Sequence, residues 1–177
     1  IMVGNGVAAK NGILFKNGEA LENAGKTEIC VMDKTGTITQ GKMQVQSVIP
    51  FIEEKEFLKL AGSLENKSEH PIGKAVVEKV KEEGLTFYET KDFKAEPGHG
   101  LSAVIQGKKV TAGSLKFVAM THTLSEEMKR NGEEMSEKGM TPVVFTADNE
   151  IIGMMGVADV IREDAHEAIS QLHSLGI

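Results

Sequence analysis

Several broad classes are excluded by what this sequence lacks. No run of about 18 apolar residues occurs anywhere in the chain, so no segment reads as a membrane-spanning helix. Ile1-Met2-Val3 has neither the basic flank nor the apolar core of a signal peptide. Cys30 is the single cysteine, which excludes an internal disulfide. It adjoins an apolar run and reads as a small buried residue. Basic residues are in deficit, 20 Lys and Arg against 26 Asp and Glu, and the net charge of −6 argues against a nucleic-acid surface. There is no internal repeat and no low-complexity tract. His122, His166 and His173 share no ligand spacing with carboxylates or with Cys30, so they read as surface or helix-face residues rather than a transition-metal site.

What remains is an ordinary packed-core composition, with 40% apolar and 26% charged residues. The 177 residues suffice for one domain or two small ones. The abrupt start at Ile1 and the stop after Leu175-Gly176-Ile177 lead us to expect a piece of a longer protein.

Periodicity gives an α+β pattern. Residues 4–25 are glycine-rich, with a short helix at 18–24. Residues 28–32 read as a buried strand and 33–39 as the loop after it. The segment 44–49 alternates and reads as β structure. Helices are expected at 53–64, where Phe57, Leu58, Leu60, Ala61 and Leu64 form a stripe, and at 71–83, where Pro71 suits the first turn and Gly84 the stop. Residues 87–94 read as extended. Two strands flanking Gly107-Lys108 read as a hairpin, and two more around Asp148-Asn149-Glu150 as a second. A short helix is expected at 114–120. A polar, exposed helix follows at 125–138, weakened by Asn131-Gly132. A last helix, 162–175, has Glu163 and Asp164 in its first turn and a face of Ala165, Ala168, Ile169 and Leu172. This order is that of one α/β domain interrupted by an inserted domain. The outer pieces are 1–42 and 153–177, and the insert is 43–152.

The apolar run ends in Asp33-Lys34-Thr35-Gly36-Thr37-Ile38-Thr39. A carboxylate is thereby placed at the carboxyl end of a strand, where α/β sheets put ligand sites. A bare D-x-T-G-T also fits a plain Asp/Thr/Gly turn. The whole run resembles the phosphorylation motif of the P-type ATPases. That resemblance implies that Asp33 takes the γ-phosphate of ATP as an acyl phosphate. Lys34 would offset charge, backbone N–H groups around Gly36 would cradle phosphate oxygens, and the Thr37 hydroxyl would donate to them. Related haloacid dehalogenase-type phosphatases usually carry a second aspartate two residues after the nucleophile. Here that position is Thr35, which cannot act as a general acid–base near neutral pH, so a lasting phosphoenzyme is implied.

Three further segments resemble the heavy-metal-transporting branch of that family, the P1B-type ATPases. They are Ser68-Glu69-His70-Pro71 within 63–75, Pro97-Gly98-His99-Gly100-Leu101, and the hinge-like Ala158-Asp159-Val160-Ile161-Arg162-Glu163-Asp164-Ala165. The resemblance assigns adenine recognition to Glu65, which would accept the amino hydrogens, and to His70, which would stack on or bond to the ring. Taken alone, His70 reads first as a helix N-terminal residue before a proline; the matching neighbours turn the reading toward the ring. Glu69 is read as support for the loop. Gly98, Gly100, Leu101 and Gly113 complete the nucleotide-binding assignment, the glycines by letting backbone come close to the ligand. A lone G-x-G is also a plain turn. His99 is left unassigned. Ser114 stands where the family often has Asn, and Met32 where it more often has Phe.

The fold so implied is α+β, an antiparallel sheet flanked by helices, inserted into an incomplete α/β haloacid-dehalogenase-like phosphorylation domain. The implied cofactors are ATP and Mg²⁺. Asp33 and the Thr35 carbonyl would contribute to the metal, but the family's T-G-D and G-D-G-x-N-D-x-P segments are absent, so the Mg²⁺ site is incomplete. The family reading implies a cytosolic part of an integral membrane protein. Its partners would be ATP, the protein's own actuator and transmembrane domains, and a transported copper- or zinc-type ion; the piece itself would be monomeric. The alternatives are a free-standing phosphohydrolase of the same superfamily and a non-catalytic nucleotide-binding module.

Overall fold

The computed structural model describes residues 2–96 and 100–177. They form two compact units, one spanning Thr39–Val160 and the other combining Ile1–Ile38 with Ile161–Ile177.

Six strands, β1 (Thr39–Pro50), β2 (Thr90–Glu96), β3 (Gly100–Ile105), β4 (Lys108–Gly113), β5 (Thr141–Ala147) and β6 (Glu150–Ile161), make one sheet in the order β1-β6-β5-β4-β3-β2. From β2 through β6 each neighbouring pair is antiparallel. Turn chemistry fixes the register. Gln106 and Gly107 take φ of 52° and 75°, the positive-φ pair of a two-residue hairpin turn. The turn therefore falls one residue before the Gly107-Lys108 expected from sequence, because Lys108 already pairs with Ile105. Asp148, at φ 53°, fastens the other hairpin to β4. Its carboxylate accepts from Lys109 N at 2.9 Å and its own N–H donates to Lys109 O at 2.7 Å.

Alternation along β5 divides the core into two layers. Phe145 and Val143 point to the same cluster as Phe57, Leu60 and Leu64 of α3 (Glu54–Glu65) and Val76 and Val80 of α4 (Pro71–Glu82). The rings of Phe57 and Phe145 meet edge to face at 5.6 Å and 78°. Val144 joins Met154 instead. Those two pack with Val118 of α5 (Leu115–Val118) and Met135 of α6 (Glu126–Glu137). On that second side Thr111 and Thr146, directly opposite across β4 and β5, hydrogen-bond at 2.7 Å.

Helix ends follow local signals. Glu53 caps α3 by accepting from Glu56 N at 2.8 Å. Pro71 opens α4, and Gly84 at φ 68° follows its end. The helix α6 is less exposed than its polarity suggests: Gly132 and Met135 are buried. A Cβ on Gly132 would lie 2.1 Å from Leu115 Cδ1, so this glycine is where α6 sits on α5 rather than a weakness in an exposed helix.

The other unit contains α1 (Met2–Lys10), α2 (Gly18–Ala24) and α7 (Ala165–Ser174). The helix α2 starts at Asn17, whose side chain accepts from Ala20 N at 2.8 Å. The helix α1 was not expected, because Gly4 and Gly6 lower helix propensity and it buries no residue. The helix α7 is shorter than the 162–175 expected from sequence. Asp164 stands before it and spends its carboxylate on Arg162, at 3.0 and 3.3 Å. Only Ala165 of its expected apolar face is buried.

The clearest correction is at 28–32. These residues form no strand, Val31 is 92% exposed, and Cys30 is exposed rather than buried. An apolar run becomes a buried strand only when neighbours hydrogen-bond its edges and layers cover its faces. Among the described residues none pairs with this segment.

Gly153 of β6 tests the first core layer. A Cβ there would lie 2.6 Å from two ring carbons of Phe57. Gly153→Ala is expected to lower unfolding free energy by about 1–3 kcal/mol through overpacking. Adding Phe57→Leu should make the pair less costly than the sum of the single changes. Urea denaturation of the four proteins measures both effects, and strict additivity would show that the ring is not what the methyl meets.

Candidate functional site

The last turn of α3, the connection after it and the first turn of α4 form one wall of a cavity of about 680 Å³. Glu65, Lys67, Ser68, Glu69, His70 and Gly73 lie on that wall. Across from them are β2 to β5, which contribute mainly apolar surface, including Phe93, Leu101, Ala112 and Pro142. The volume is in the range of small-molecule sites, about 300–1,000 Å³, and a few polar groups on an apolar lining is their usual character.

Glu65 is the unusual member. It closes the apolar stripe of α3 and is only 4% exposed. Burial pushes its carboxyl up from the ordinary 4.5 to about 7, and a hydrogen bond from Ser68 acts the other way. Room for that carboxylate depends on Gly73, since a Cβ there would fall 2.5 Å from Glu65 Oε2. His70 is the N-cap of α4: its Nδ1 accepts from Ile72 N at 3.2 Å. In the neutral ring the proton is then on Nε2, and that ring edges the cavity as a donor. The helix-start role and the cavity-lining role of His70 are therefore compatible.

The glycines have a different first duty from close approach to a ligand. Gly100 sits at φ 90°, and a Cβ would fall 2.1 Å from Ala112 O on the adjoining strand. Gly113 would meet Phe117 Cδ1 at 2.5 Å. Both are required by the protein's own packing, and the backbone they leave bare lines the cavity. Ser114 caps α5 by accepting from Phe117 N at 3.2 Å and also lines the cavity. Gly98 and His99 lie outside the described residues.

Glu65, His70, Gly100, Leu101 and Gly113 thus share one cavity in the Thr39–Val160 unit. Asp33, Lys34, Thr35 and Thr37 belong to the other unit, in a tight irregular turn that leads into β1. Asp33 is exposed, and its Oδ1 accepts from Lys34 N at 2.9 Å. Thr35 is extended, at φ −78° and ψ 119°, and Gly36 reverses the chain at φ 79°. Among the described residues no three His, Cys, Asp or Glu side chains are grouped to hold a metal ion. Asp33 and Thr35 by themselves do not fit a complete Mg²⁺ site.

Gly73, Phe93 and Pro142 line the cavity without having been singled out by sequence, and Ser68 was named only as part of the Ser68–Pro71 string, with no role given to it. Gly73 carried a usable signal: a glycine inside a helix costs about 1 kcal/mol relative to alanine and needs a packing reason.

A profile of the haloacid dehalogenase-like hydrolases matches residues 27–177. The chain belongs to that family. Among hydrolases of this family, its similarity is to metal-transporting ATPases. It is 43% identical over its full length to the probable copper-importing P-type ATPase A of Enterococcus hirae, and 37% identical to the copper-exporting P-type ATPase of Bacillus subtilis. A solved zinc-transporting PIB-type ATPase in the E2.Pi state superposes with a TM-score of 0.87 at 31% identity, over 99% of this chain. The chain spans about a quarter of the relatives' length, 24% and 22% for the two proteins, and 29% of the solved chain.

The buried carboxyl in this hydrolase-family cavity has a stability consequence. Its folded pKa is above the unfolded value, so the folded state binds the extra proton between about 4.5 and 7. The stability this confers is complete below about 4.5 and is lost as pH rises through about 7. Relative to Glu65→Gln, unfolding free energy of the unsubstituted chain should fall by up to about 3 kcal/mol across that window. Urea titrations of both proteins at several pH values measure the difference, and parallel pH profiles would refute it.

Proposed function

We propose that this chain is the ATP-binding part, with flanking pieces of the phosphorylation domain, of a P-type ATPase that moves a copper- or zinc-type cation across a membrane. The phosphorylation domain would take residues 1–42 and 153–177, and the nucleotide-binding domain 43–152. The observation that carries this reading is one cavity lined by a buried carboxylate, Glu65, and the His70 ring. Adenine offers amino donors for the first and a flat face or ring nitrogen for the second. The bare backbone at Gly100 and Gly113 and the Leu101 side chain supply the apolar slot for the base.

In the parent protein Asp33 Oδ would attack the γ-phosphorus of ATP in line. The bond from that phosphorus to the β–γ bridging oxygen breaks and ADP leaves, giving an aspartyl phosphate. Lys34 and the Thr37 hydroxyl would steady the transferred oxygens, and Thr35 cannot deliver the proton transfer that speeds hydrolysis in the phosphatases. That last point favours the pump over a free-standing phosphohydrolase. Mg²⁺ would offset phosphate charge when bound, but among the described residues no donor set completes its shell. In the complete protein these residues would lie on the cytosolic side, beside actuator and transmembrane domains, and the isolated piece would be a monomer.

Calorimetric titration with ATP and with adenosine tests the reading. His70→Ala should weaken both ligands by about tenfold, roughly 1.4 kcal/mol. Asp33→Ala should leave adenosine within about twofold. Equal losses of adenosine from both substitutions would contradict a base site separate in chemistry from the phosphoryl site. With ATP and Mg²⁺ the chain alone is expected to form no stoichiometric acid-stable phosphoenzyme; radiolabelled γ-phosphate retained after acid quench would overturn this.

A further inference from the structure

The edge strand β2, which supplies part of the cavity's apolar wall, is not regular. It pairs with β3 as Thr90 opposite Ile105 and Lys91 opposite Val104, then as Lys94 opposite Ser102 and Ala95 opposite Leu101. Asp92 and Phe93 therefore stand against the single residue Ala103, which is a β-bulge. Asp92 takes φ of 51°, a left-handed conformation that is uncommon outside glycine. The bulge decides which side chains face the helices. Thr90 is on the helix side, since its Oγ1 donates to the Ser63 carbonyl of α3 at 2.9 Å. In an unbroken strand Asp92 and Lys94 would follow Thr90 on that side. Instead Phe93 and Ala95 line the cavity, while Asp92 and Lys94 are exposed and take no part in its lining.

Phe93 is the one phenyl ring among the described residues that line the cavity, and it belongs to the wall across from His70. It is half-buried, packed against the first core layer and also bordering the cavity. A flat π-system is the ligand that uses such a ring most fully, because stacking adds to the burial of apolar area. We propose that Phe93 is a binding residue of the base site, a platform on which the base stacks, and that the bulge at Asp92 is what aims it into the cavity. This rests on the nucleotide reading given above. It divides the work between the walls: Glu65 and His70 would supply the polar contacts, and Phe93 supplies a contact that any base can use, since every base has a π-face. Bulges beside ligand sites re-aim side chains in this way, and a left-handed non-glycine residue persists where the surrounding structure holds it.

The test is titration of the full chain and its variants with adenosine and ATP, by calorimetry and by fluorescence. The chain has no tryptophan, so Phe93→Trp places a single indole on the platform. Adenosine should quench its emission, and the quenching should saturate at the Kd that calorimetry gives. Phe93→Leu keeps an apolar side chain against the core and removes the ring. It should weaken adenosine and ATP by the same factor, about 5- to 20-fold. Phe93→Tyr keeps the ring and should stay within about threefold, so that the indole and phenol variants carry the test even if the leucine variant is unstable. Asp92→Val, a β-branched residue that resists positive φ, should weaken adenosine about 3- to 10-fold although its side chain does not line the cavity, and Asp92→Gly should not. A leucine variant that folds and binds adenosine like the unsubstituted chain, or an indole whose emission is unchanged at saturating adenosine, overturns the platform and leaves the base site intact. Equal binding by Asp92→Val and Asp92→Gly overturns the aiming role of the bulge. If the unsubstituted chain binds no adenosine, the nucleotide reading fails and the platform fails with it.

Discussion

A carboxylate taken out of water at the end of an otherwise apolar helix stripe is the constraint around which this site is organised. Glu65 follows Leu64 and Ser63 on a helix packed into the sheet, and at 4% exposure it is desolvated almost as fully as its apolar neighbours. A buried carboxylate is costly unless it is hydrogen-bonded or protonated. Here it is partly both: burial lifts its pKa to about 7, and Ser68 supplies a hydrogen bond. A group balanced in this way is sensitive to what enters the cavity. A ligand that brings amino hydrogens supplies the donors that the folded chain leaves out, so part of the desolvation cost is recovered only on binding.

The rest of the local structure follows from making room for that group. Gly73 must lack a side chain because the carboxylate occupies the space where a Cβ would be. Pro71 and the His70 cap start α4 where its first turn can close over the pair. On the facing wall Gly100 lets β3 pass within 2.1 Å, measured from a would-be Cβ, of the Ala112 carbonyl, and Gly113 gives way to Phe117. Glycines at a ligand cavity are easily read as serving the ligand directly. In this protein they first let strands and helices approach one another, and an open slot is the consequence.

How much of this was legible in the sequence depended on whether each signal was local. The helix α4 could be read from Pro71, its apolar face and Gly84, and the hairpins from their turn residues, because caps and turns act within a few positions. Residues 28–32 failed for the opposite reason: apolar character without ladder partners is not a strand, and partners are a non-local property. The helix α6 was legible as a helix but not in its burial, since Gly132 and Met135 become buried only because Leu115 and Val118 arrive from elsewhere in the chain. For the cavity, the string from Ser68 to His70 lies on one wall. The facing wall, with Phe93 and Pro142, required the sheet order β5-β4-β3-β2, which periodicity does not supply.

Ser114 shows how a departure from a family pattern is absorbed by local structure. The position precedes a four-residue helix, and its Oγ accepts from Phe117 N at 3.2 Å. Serine and asparagine are comparable N-caps, so the exchange costs the helix little. What changes is the side chain's remaining capacity. An asparagine that caps through its carbonyl oxygen keeps two N–H donors on a longer arm, whereas a capping serine keeps one O–H on a shorter one. Ser114 lines the same cavity as Glu65 and His70. Its offering to a bound molecule is therefore a single donor held close to the α5 N-terminus. On the proposed nucleotide reading, discrimination within the cavity would then fall mainly to the opposite wall, where Glu65 would accept and His70 would present a ring.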